Sequence, residues 1–324
     1  MVTLTDIKSP IKNEIKEFES FFKSSIKTKV PLLDHITNYI LRRKGKQLRP
    51  IIVFLAARIS GEPNHSTYTA AALIELLHTA TLIHDDVVDD SYERRGFFSI
   101  YAIWKTKVSV LVGDYLLSKG LLLAVEKKEY HLLEIVSEAV REMSEGELIQ
   151  IQKARRLNLT EEEYFEIIRK KTATLIIACA ASGASSVTGD RETISKLREY
   201  GEHAGIAFQI KDDIFDYQKK GIIGKPIAND IKEKKLTLPL IYALSNSSKS
   251  ERKHILGLIR NNNNSTRKIQ QVIEFVINKK GLDYAVMKMN EHKQKAIESL
   301  ADFPDNDAKK SLIDLAEYIT NRDR

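Results

Sequence analysis

Apolar residues recur at helical spacing along most of this chain, and long polar breaks are few. From Ile11 to Ile26, Lys and Glu alternate with Ile and Phe as they do on an amphipathic helix. Pro31 stands where the next helix would begin, because proline fits a first helical turn. The pattern predicts helices over residues 11–26, 31–44, 50–59, 67–84, 99–107, 108–127, 130–156, 161–187, 191–217, 238–244, 249–259, 266–280, 282–300 and 307–320. It predicts no pair of strands, a loop from Lys219 to Lys235 and a short polar connector at 261–264.

This series of helices predicts one all-α domain over residues 1–324, too long for a simple four-helix bundle. The composition is globular, with 43% hydrophobic and 29% charged residues, and the 7 prolines and 14 glycines are few enough to favour long helices. The single cysteine, Cys179, excludes an internal disulfide framework, and we expect it to be buried. We see no signal peptide and no uncharged apolar run long enough for a membrane span, so we expect a cytoplasmic location.

Two acidic clusters of the form D-D-x-x-D stand at the ends of apolar runs. Asp85 and Asp89 in the first cluster, and Asp212 and Asp216 in the second, are spaced so that each pair shares one helix face. Like charges at that spacing are unfavourable by about 0.2–0.5 kcal/mol per pair. Near a helix C-terminus they also oppose the macrodipole. Such clusters therefore favour a bound cation.

One Asp-rich turn alone is usually a solvated surface feature. Two copies that each close an apolar, buried helix are different, because carboxylates there need partners or metals. Oxygen ligands without cysteine, and with one flanking histidine, His84, favour Mg²⁺ over zinc, with Mn²⁺ as an alternative. Magnesium usually completes its shell with water and substrate phosphates. The pair of clusters therefore predicts a diphosphate held between them.

Several basic residues stand beside predicted helix ends or, in one case, in the loop after the second cluster. They are Lys46, Arg49, Arg94, Arg95 and Lys225. Lys171 differs from the surface lysines because a strongly apolar run follows it, which favours an inward role over the alternative of a snorkelling side chain. The net charge of +7 suits an anionic partner. Because the basic residues are dispersed and no nucleic-acid-binding motif is present, we expect no nucleic-acid partner.

The ordered motifs resemble the trans-isoprenyl diphosphate synthase family. The resemblance rests on GKQLRP, HTATLIHDDVVDDSYERRG, GIAFQIKDDIFDY and GKPIANDIKEKKLTLPLIYAL, and it runs from about Leu32 to the closing AEYITNRDR. It implies a fold of the isoprenoid synthase type, one large helical domain with helices around a central apolar cavity. The resemblance also implies a transferase of isoprenoid biosynthesis. Within the family, the chain most resembles an archaeal-type hexaprenyl diphosphate synthase.

The resemblance also assigns the site residues. Three Mg²⁺ ions are expected with substrate, held by Asp85, Asp86, Asp89, Asp212 and Asp216. The allylic diphosphate would be held by Arg94, Lys171 and Lys225, and the diphosphate of isopentenyl diphosphate by Lys46, Arg49, His78 and Arg95. Thr172 and Gln209 would turn their oxygens to the nascent allylic cation, so the catalytic set is Lys171, Thr172, Gln209 and Lys225. His84 would support the ligands without binding metal.

The implied chemistry gives these residues their roles. Metals and fixed cations stabilise the leaving pyrophosphate as the allylic C–O bond breaks. Two ordered substrates make C–C bond formation effectively intramolecular, and a dry apolar cavity protects the cation from water. The proton is lost to pyrophosphate, so no side-chain base is required. The implied substrates are isopentenyl diphosphate and farnesyl or geranylgeranyl diphosphate, and the family implies a homodimer.

Product length should be set on the helix before the first cluster. Thr81 and Ala80 are one turn before Asp85, and deeper turns carry Leu77, Leu76 and Leu73. Short-chain members of the family place aromatic residues in that first turn. Since Ala80 and Thr81 are small, we expect growth past the farnesyl and geranylgeranyl stages, to a product near six isoprene units.

Three other readings stay open. A geranylgeranyl diphosphate synthase would stop at twenty carbons. A class I terpene cyclase shares the first motif but usually lacks a second D-D-x-x-D, and a non-catalytic subunit of a heteromeric synthase tends to lose its aspartates. The segment Phe97–Tyr101 departs from the family, which commonly has a polar Pro-Thr segment there. Its contacts with substrate or with a partner are therefore open.

Overall fold

The structure is a computed structural model that describes residues 2–42, 45–94, 96–217, 229–260 and 265–322. These ranges are almost entirely helical, which confirms the all-α prediction. The helices of the first part are α1 (Leu4–Ile7), α2 (Lys12–Ser25), α3 (Pro31–Leu41), α4 (Leu48–Ser60), α5 (His65–Val88), α6 (Ile100–Glu126), α7 (Tyr130–Arg156), α8 (Glu161–Ile168) and α9 (Thr174–Ser185). They are followed by α10 (Arg191–Phe215), α11 (Asn229–Lys232), α12 (Leu238–Ser245), α13 (Lys249–Arg260), α14 (Thr266–Asn278), α15 (Gly281–Glu298) and α16 (Asp307–Asn321). A 3₁₀ turn, Ser9–Ile11, joins α1 to α2.

The prediction of no strand pair is wrong after the first acidic cluster. There β1 (Glu93–Arg94) and β2 (Phe97–Phe98) form a short antiparallel ladder. Gly96 takes a positive φ of 78°, which closes the turn. Two-residue strands are too short for an alternating pattern to reveal them in the sequence.

The end of α5 lies at Val88 and not at the predicted His84, and α1 was not predicted. Three further differences are larger. The break predicted between 107 and 108 is a kink inside α6, where Lys105 has φ 66° and ψ 174°. The predicted helix 161–187 is interrupted by a π-helical turn, Arg169–Ala173. The predicted loop from Lys219 to Lys235 is wrong in its last part, because α11 lies there. Residues 219–228 of that loop lie outside the described ranges, as does the connector 261–264.

One helix has the length and composition of a membrane span. Ile100–Glu126 is apolar enough, and 33% of its most apolar window is buried within the protein. A core helix of a soluble protein passes the same test, so a single such helix is weak evidence. The absence of a membrane span therefore stays a prediction. Cys179 is buried, as predicted.

The chain divides into two compact units. The first comprises Met1–Glu138, Ala178–Arg198 and Asp302–Leu312, and the second Ala139–Ile177, Glu199–Ala301 and Ile313–Arg324. In the first unit α5 packs along α6 and against α4, and in the second α12 packs against α15. Each unit has its own buried apolar core. The first unit carries the first acidic cluster and the second unit carries the other.

Candidate active site

The first acidic cluster lies at the C-terminus of α5. Asp89 is the C-cap, and its backbone N–H donates to the Asp85 carbonyl at 2.8 Å. The side chains of Asp85 and Asp89 are exposed, whereas Asp86 is only 3% exposed. Burial raises the pKa of Asp86, and the Arg94 guanidinium opposes that rise. Two carboxylates are therefore presented at the surface beside a third that is held inside.

Arg94 reaches Asp86 from the hairpin. Its Nε donates to Asp86 Oδ1 at 2.7 Å. The hairpin is fixed by Tyr39, whose hydroxyl donates to the Phe98 carbonyl at 2.7 Å, and by Ser99, whose hydroxyl donates to the Ser91 carbonyl at 2.6 Å. The short strands therefore hold the Arg94 guanidinium against the buried Asp86.

His84, one residue before the cluster, reaches α6. Its Nε2 lies 3.3 Å from the Val110 carbonyl and 3.5 Å from Asp114 Oδ1. Gly113 leaves the room for the ring, because a Cβ at that position would lie 2.1 Å from Nε2. The imidazole thus links α5 to α6, and a role in supporting the ligands stays a prediction.

The predicted chain-length residues lie along α5, in the same unit. Leu73, Leu76, Leu77 and Ala80 are each no more than 2% exposed, and Thr81 is half-buried. Ala80 and Leu76 belong to a cluster with Val112 and Leu116 of α6.

The predicted isopentenyl diphosphate residues lie on or beside neighbouring helices. His78 of α5 is 8% exposed. Lys46 precedes α4 and is exposed, and Arg49 lies in the first turn of α4 and is half-buried. Arg95 lies outside the described residues.

The second acidic cluster lies at the C-terminus of α10. Asp212 Oδ1 accepts a hydrogen bond from Arg322 Nη2 at 2.6 Å. The same guanidinium stands 4.1 Å from the centre of the Phe208 ring and 5.7 Å from that of Phe215. Asp216 Oδ2 accepts from the Asp230 backbone N–H at 3.0 Å. Arg322, which directly follows α16, and α11 therefore both contact this cluster.

Asp213, between the two predicted ligands, is buried in a hydrogen-bond network. The Tyr164 hydroxyl donates to its Oδ2 at 2.7 Å, and Gln209 Nε2 donates to its Oδ1 at 2.8 Å. Burial and the nearby Asp230 raise the pKa of Asp213 to about 8, while the two hydrogen bonds favour its ionised form. Burial also raises the pKa of Asp230, to about 6. The second unit thus concentrates carboxylates that a cation would stabilise.

These side chains face a cavity of about 110 Å³ within the second unit. Its lining brings three predicted residues together, Lys171, Thr172 and Gln209. Thr172 Oγ1 donates to Gln209 Oε1 at 2.8 Å. The polar lining is completed by Gln150, Lys153, Tyr164, Asp213, Asp230, Lys235 and Thr237.

Lys171 and Thr172 lie in the π-helical turn. A π turn admits an extra residue into a helical turn and is frequent at functional sites. Lys171 Nζ donates to Gln150 Oε1 at 2.7 Å and forms an ion pair with Glu147, both on α7. The lysine is thus held in the second unit by two residues of one helix. Lys225, predicted beside it, lies outside the described residues.

The donor set is suited to a hard divalent cation. All predicted ligands are carboxylates at helix ends, and Mg²⁺ and Ca²⁺ prefer such oxygens. Among the residues that the structure describes, no group of three His, Cys, Asp or Glu side chains converges as a metal site. A hard cation at such carboxylates usually takes further ligands from water or phosphate.

Sequence reasoning missed five residues of this arrangement: Tyr164, Glu147, Gln150, Asp230 and Arg322. Asp230 and Arg322 do stand in quoted segments, GKPIANDIKEKKLTLPLIYAL and AEYITNRDR, which could have drawn attention to them. Tyr164, Glu147 and Gln150 lie in ordinary amphipathic helices. Only their contacts distinguish them.

A family model matches most of the chain, and the relatives named below cover nearly all of it. The polyprenyl synthetase family model matches residues 30–276. An all-trans-nonaprenyl-diphosphate synthase (geranyl-diphosphate specific) of Rhodobacter capsulatus is 36% identical over 319 residues, which cover 98% of this chain and 97% of that protein. A polyprenyl synthase structure from Caulobacter crescentus CB15, complexed with calcium and isoprenyl diphosphate, has a TM-score of 0.90 at 33% identity and covers 99% of this chain and 98% of that one. A geranylgeranyl pyrophosphate synthase structure from Bacteroides thetaiotaomicron has a TM-score of 0.84 at 39% identity and covers 98% of this chain and 99% of that one.

Proposed function

Since this chain belongs to the polyprenyl synthetase family and is therefore a prenyl-transferring enzyme with the isoprenoid synthase fold, we propose that it condenses isopentenyl diphosphate with an allylic diphosphate in a trans-1′-4 reaction. The observation that carries this proposal is the lining of the cavity in the second unit. There Lys171 lines the same cavity as Thr172 and Gln209, whose side-chain oxygens are hydrogen-bonded to each other. A fixed cation next to paired neutral oxygens suits a leaving diphosphate and a developing carbocation.

The chain's own side chains would bind and orient both substrates. Arg94, Lys171 and Lys225 would hold the allylic diphosphate, and Lys46, Arg49, His78 and Arg95 would hold isopentenyl diphosphate. The hydroxyl of Thr172 donates to Gln209, so both oxygens are fixed in place before substrate arrives. Such preorganisation avoids reorganisation cost as charge develops. The released pyrophosphate would take the proton, so no protein base is assigned.

The metal of this reaction is proposed to be Mg²⁺, with three ions bound alongside substrate and Mn²⁺ as an alternative. The residues that would hold them are Asp85, Asp86, Asp89, Asp212 and Asp216. The supporting observations are the all-carboxylate donor set and the calcium and isoprenyl diphosphate in the Caulobacter relative. Bound metal supplies charge stabilisation to the diphosphate leaving group.

The product is proposed to be of medium length, near hexaprenyl diphosphate. The supporting observation is the small side chains of Ala80 and Thr81, one turn before Asp85 on α5. The bulkier Leu77 and Leu73 lie about one and two turns deeper, at 1.5 Å rise per residue. The named relatives make both longer and shorter chains, so geranylgeranyl diphosphate is kept as the alternative.

We also propose a homodimer formed through α6. This helix exposes several large apolar side chains: Val110, Leu111, Leu121, Leu122 and Val125. A second copy that covers them would remove this apolar area from water. A single domain, a cytoplasmic location, and the absence of nucleic-acid partners and of a membrane span remain part of the proposal.

The proposal is tested with the purified chain and labelled isopentenyl diphosphate, using farnesyl and geranylgeranyl diphosphate primers. We expect label in products that extend past twenty carbons, and loss of activity with EDTA that Mg²⁺ restores. Asp85→Asn should abolish turnover, whereas Asp283→Asn, an exposed aspartate in the first turn of α15, should not. Chromatography of the dephosphorylated products gives their length.

Each rival predicts a different result in the same assay. A product of only twenty carbons identifies a geranylgeranyl diphosphate synthase. A cyclic product without label from isopentenyl diphosphate identifies a terpene cyclase. No turnover by the pure chain, despite intact binding of both diphosphates, identifies a subunit that needs a partner.

A further inference from the structure

Four side chains of the second unit form one continuous chain of hydrogen bonds. The Tyr164 hydroxyl donates to Asp213 Oδ2 at 2.7 Å, and Gln209 Nε2 donates to Asp213 Oδ1 at 2.8 Å. At the other end of the amide, Gln209 Oε1 accepts from Thr172 Oγ1 at 2.8 Å. All four residues line the same cavity. The chain therefore connects the aspartate cluster to the paired oxygens beside Lys171.

This chain determines which way the Gln209 amide points. A glutamine amide has one acceptor end and one donor end. Both oxygens of Asp213 act as acceptors here, Oδ2 from the Tyr164 hydroxyl and Oδ1 from the Gln209 amide. Because Oδ1 accepts from the amide, the NH₂ group of Gln209 faces Asp213, and its Oε1 faces Thr172. The reverse orientation would place the NH₂ group, a partial positive charge, beside the Thr172 hydroxyl. Only the observed orientation offers an amide oxygen on the Thr172 side.

Tyr164 fixes the carboxylate that imposes this orientation. Its ring is 3% exposed and packs edge-to-face on Phe165, with 5.4 Å between ring centres. A buried tyrosine hydroxyl needs a partner, and the rigid ring leaves it little freedom to find another. Asp213 Oδ2 is that partner, so Tyr164 positions Oδ1 for the amide.

We propose that Tyr164 is a positioning residue of the prenyl transfer: through Asp213 it holds the Gln209 amide oxygen toward the site where the allylic cation develops. This inference rests on the proposed function. Tyr164 is two hydrogen bonds away from that oxygen. It acts on the cation only through Asp213 and Gln209. Its removal should therefore weaken stabilisation of the developing charge and leave diphosphate binding intact.

Tyr164→Phe removes the hydroxyl and keeps the ring. We expect kcat to fall about tenfold, less than the hundredfold or more that follows loss of a direct stabilising group. KM for both diphosphates should stay within about twofold, since Lys171 keeps its contacts. Tyr284→Phe is the matched control, because the Tyr284 hydroxyl likewise donates to a carboxylate at 2.7 Å. Its partner is Glu161 of α8. It should leave kcat unchanged.

A cation mimic separates positioning from general loss of stability. The probe is an allylic analogue whose cationic carbon is replaced by an ammonium nitrogen, bound with pyrophosphate and compared with its neutral carbon isostere by calorimetry. The wild type should prefer the ammonium compound, and Tyr164→Phe should reduce that preference about tenfold without changing affinity for the isostere. Combined with Gln209→Leu, Tyr164→Phe should cost no more than Gln209→Leu alone.

A second variant keeps the test independent of whether Tyr164→Phe folds. Asp213→Asn presents an NH₂ group to either Tyr164 or Gln209, so it should disturb the same amide and reduce the same ammonium preference. An active wild type with an unchanged preference in both variants overturns the inference alone, as does equal loss in Tyr284→Phe. A wild type that neither condenses the substrates nor binds either analogue overturns the proposed function as well.

Discussion

Replacing Arg322 by glutamine should loosen the second acidic cluster before any metal binds. Arg322 Nη2 donates to Asp212 Oδ1 at 2.6 Å, and the guanidinium lies 4.1 Å from the centre of the Phe208 ring. The Arg322 side chain is 12% exposed and that of Asp212 is 42% exposed. The substitution removes the charge from both contacts and keeps a polar side chain.

The expected cost follows from these contacts. A cation–π contact of this kind contributes roughly 0.5–1 kcal/mol. An ion pair whose carboxylate is this exposed contributes about 1 kcal/mol, because solvent screens it. The free energy of unfolding of the metal-free protein should therefore fall by about 2 kcal/mol. Thermal unfolding followed by circular dichroism should show Tm lower by roughly 3 °C.

Metal binding should change in the opposite direction. Asp212 is a proposed ligand, so a divalent cation and Arg322 compete for one carboxylate. If about 1 kcal/mol of the ion pair is lost on metal binding, Arg322→Gln should bind Mn²⁺ about fivefold more tightly in the absence of diphosphate. Calorimetric titration measures this directly.

Arg58→Gln is the matched control, since Arg58 pairs with Glu14 and Glu62 in the first unit. It should lower Tm and leave Mn²⁺ affinity unchanged. Equal Mn²⁺ affinity in wild type and Arg322→Gln would show that Arg322 does not compete for a metal ligand. An unchanged Tm would refute the contact energies used here.

Two further predictions concern product length and pH. Ala80→Phe should shorten the product, at a cost of about 1–3 kcal/mol because Ala80 is packed. Thr81→Phe, at a half-buried position, should shorten it with less strain, and an unchanged product ladder in both variants refutes this picture. Burial lowers the pKa of His292 from 6.5 to about 4, so the unfolded chain binds more protons between these values and stability should fall as pH drops through this window. Between pH 7 and pH 4 the free energy of unfolding should fall by about 1 kcal/mol less in His292→Gln than in the wild type, after allowance for solvent screening. Thermal unfolding across this range should show a correspondingly smaller fall in Tm, and parallel curves would contradict the prediction.

The helices were largely predictable because their apolar periodicity is local and strong. What the sequence could not reveal depends on single backbone angles or on short segments. The kink at Lys105 and the π turn at Arg169–Ala173 keep the apolar pattern of an unbroken helix. The hairpin at 93–98 is too short to carry an alternation. Each of these irregularities lies beside a predicted site residue or the segment that follows the first cluster.

The aspartates were predictable from spacing, and their partners were not. Arg94 follows Asp86 by 8 residues, so the two could be associated in the sequence. Arg322 follows Asp212 by 110 residues, and Tyr164 precedes Asp213 by 49. Contacts over such separations depend on tertiary packing, which no local pattern contains. The motif therefore identified the carboxylates and left open what holds them.

Those partners change the electrostatic reading of the clusters. Like charges at helix C-termini favour a bound cation. In the metal-free protein an arginine of the chain supplies positive charge at each cluster, Arg94 at Asp86 and Arg322 at Asp212. A metal that takes the carboxylate oxygen bonded to a guanidinium displaces that guanidinium, which costs less when the guanidinium gains another anion. Arginine binds phosphate bidentately, and Arg94 is proposed to hold the allylic diphosphate. Substrate would then offset the loss of the Asp86 contact, so metal and diphosphate should bind together more readily than either does alone.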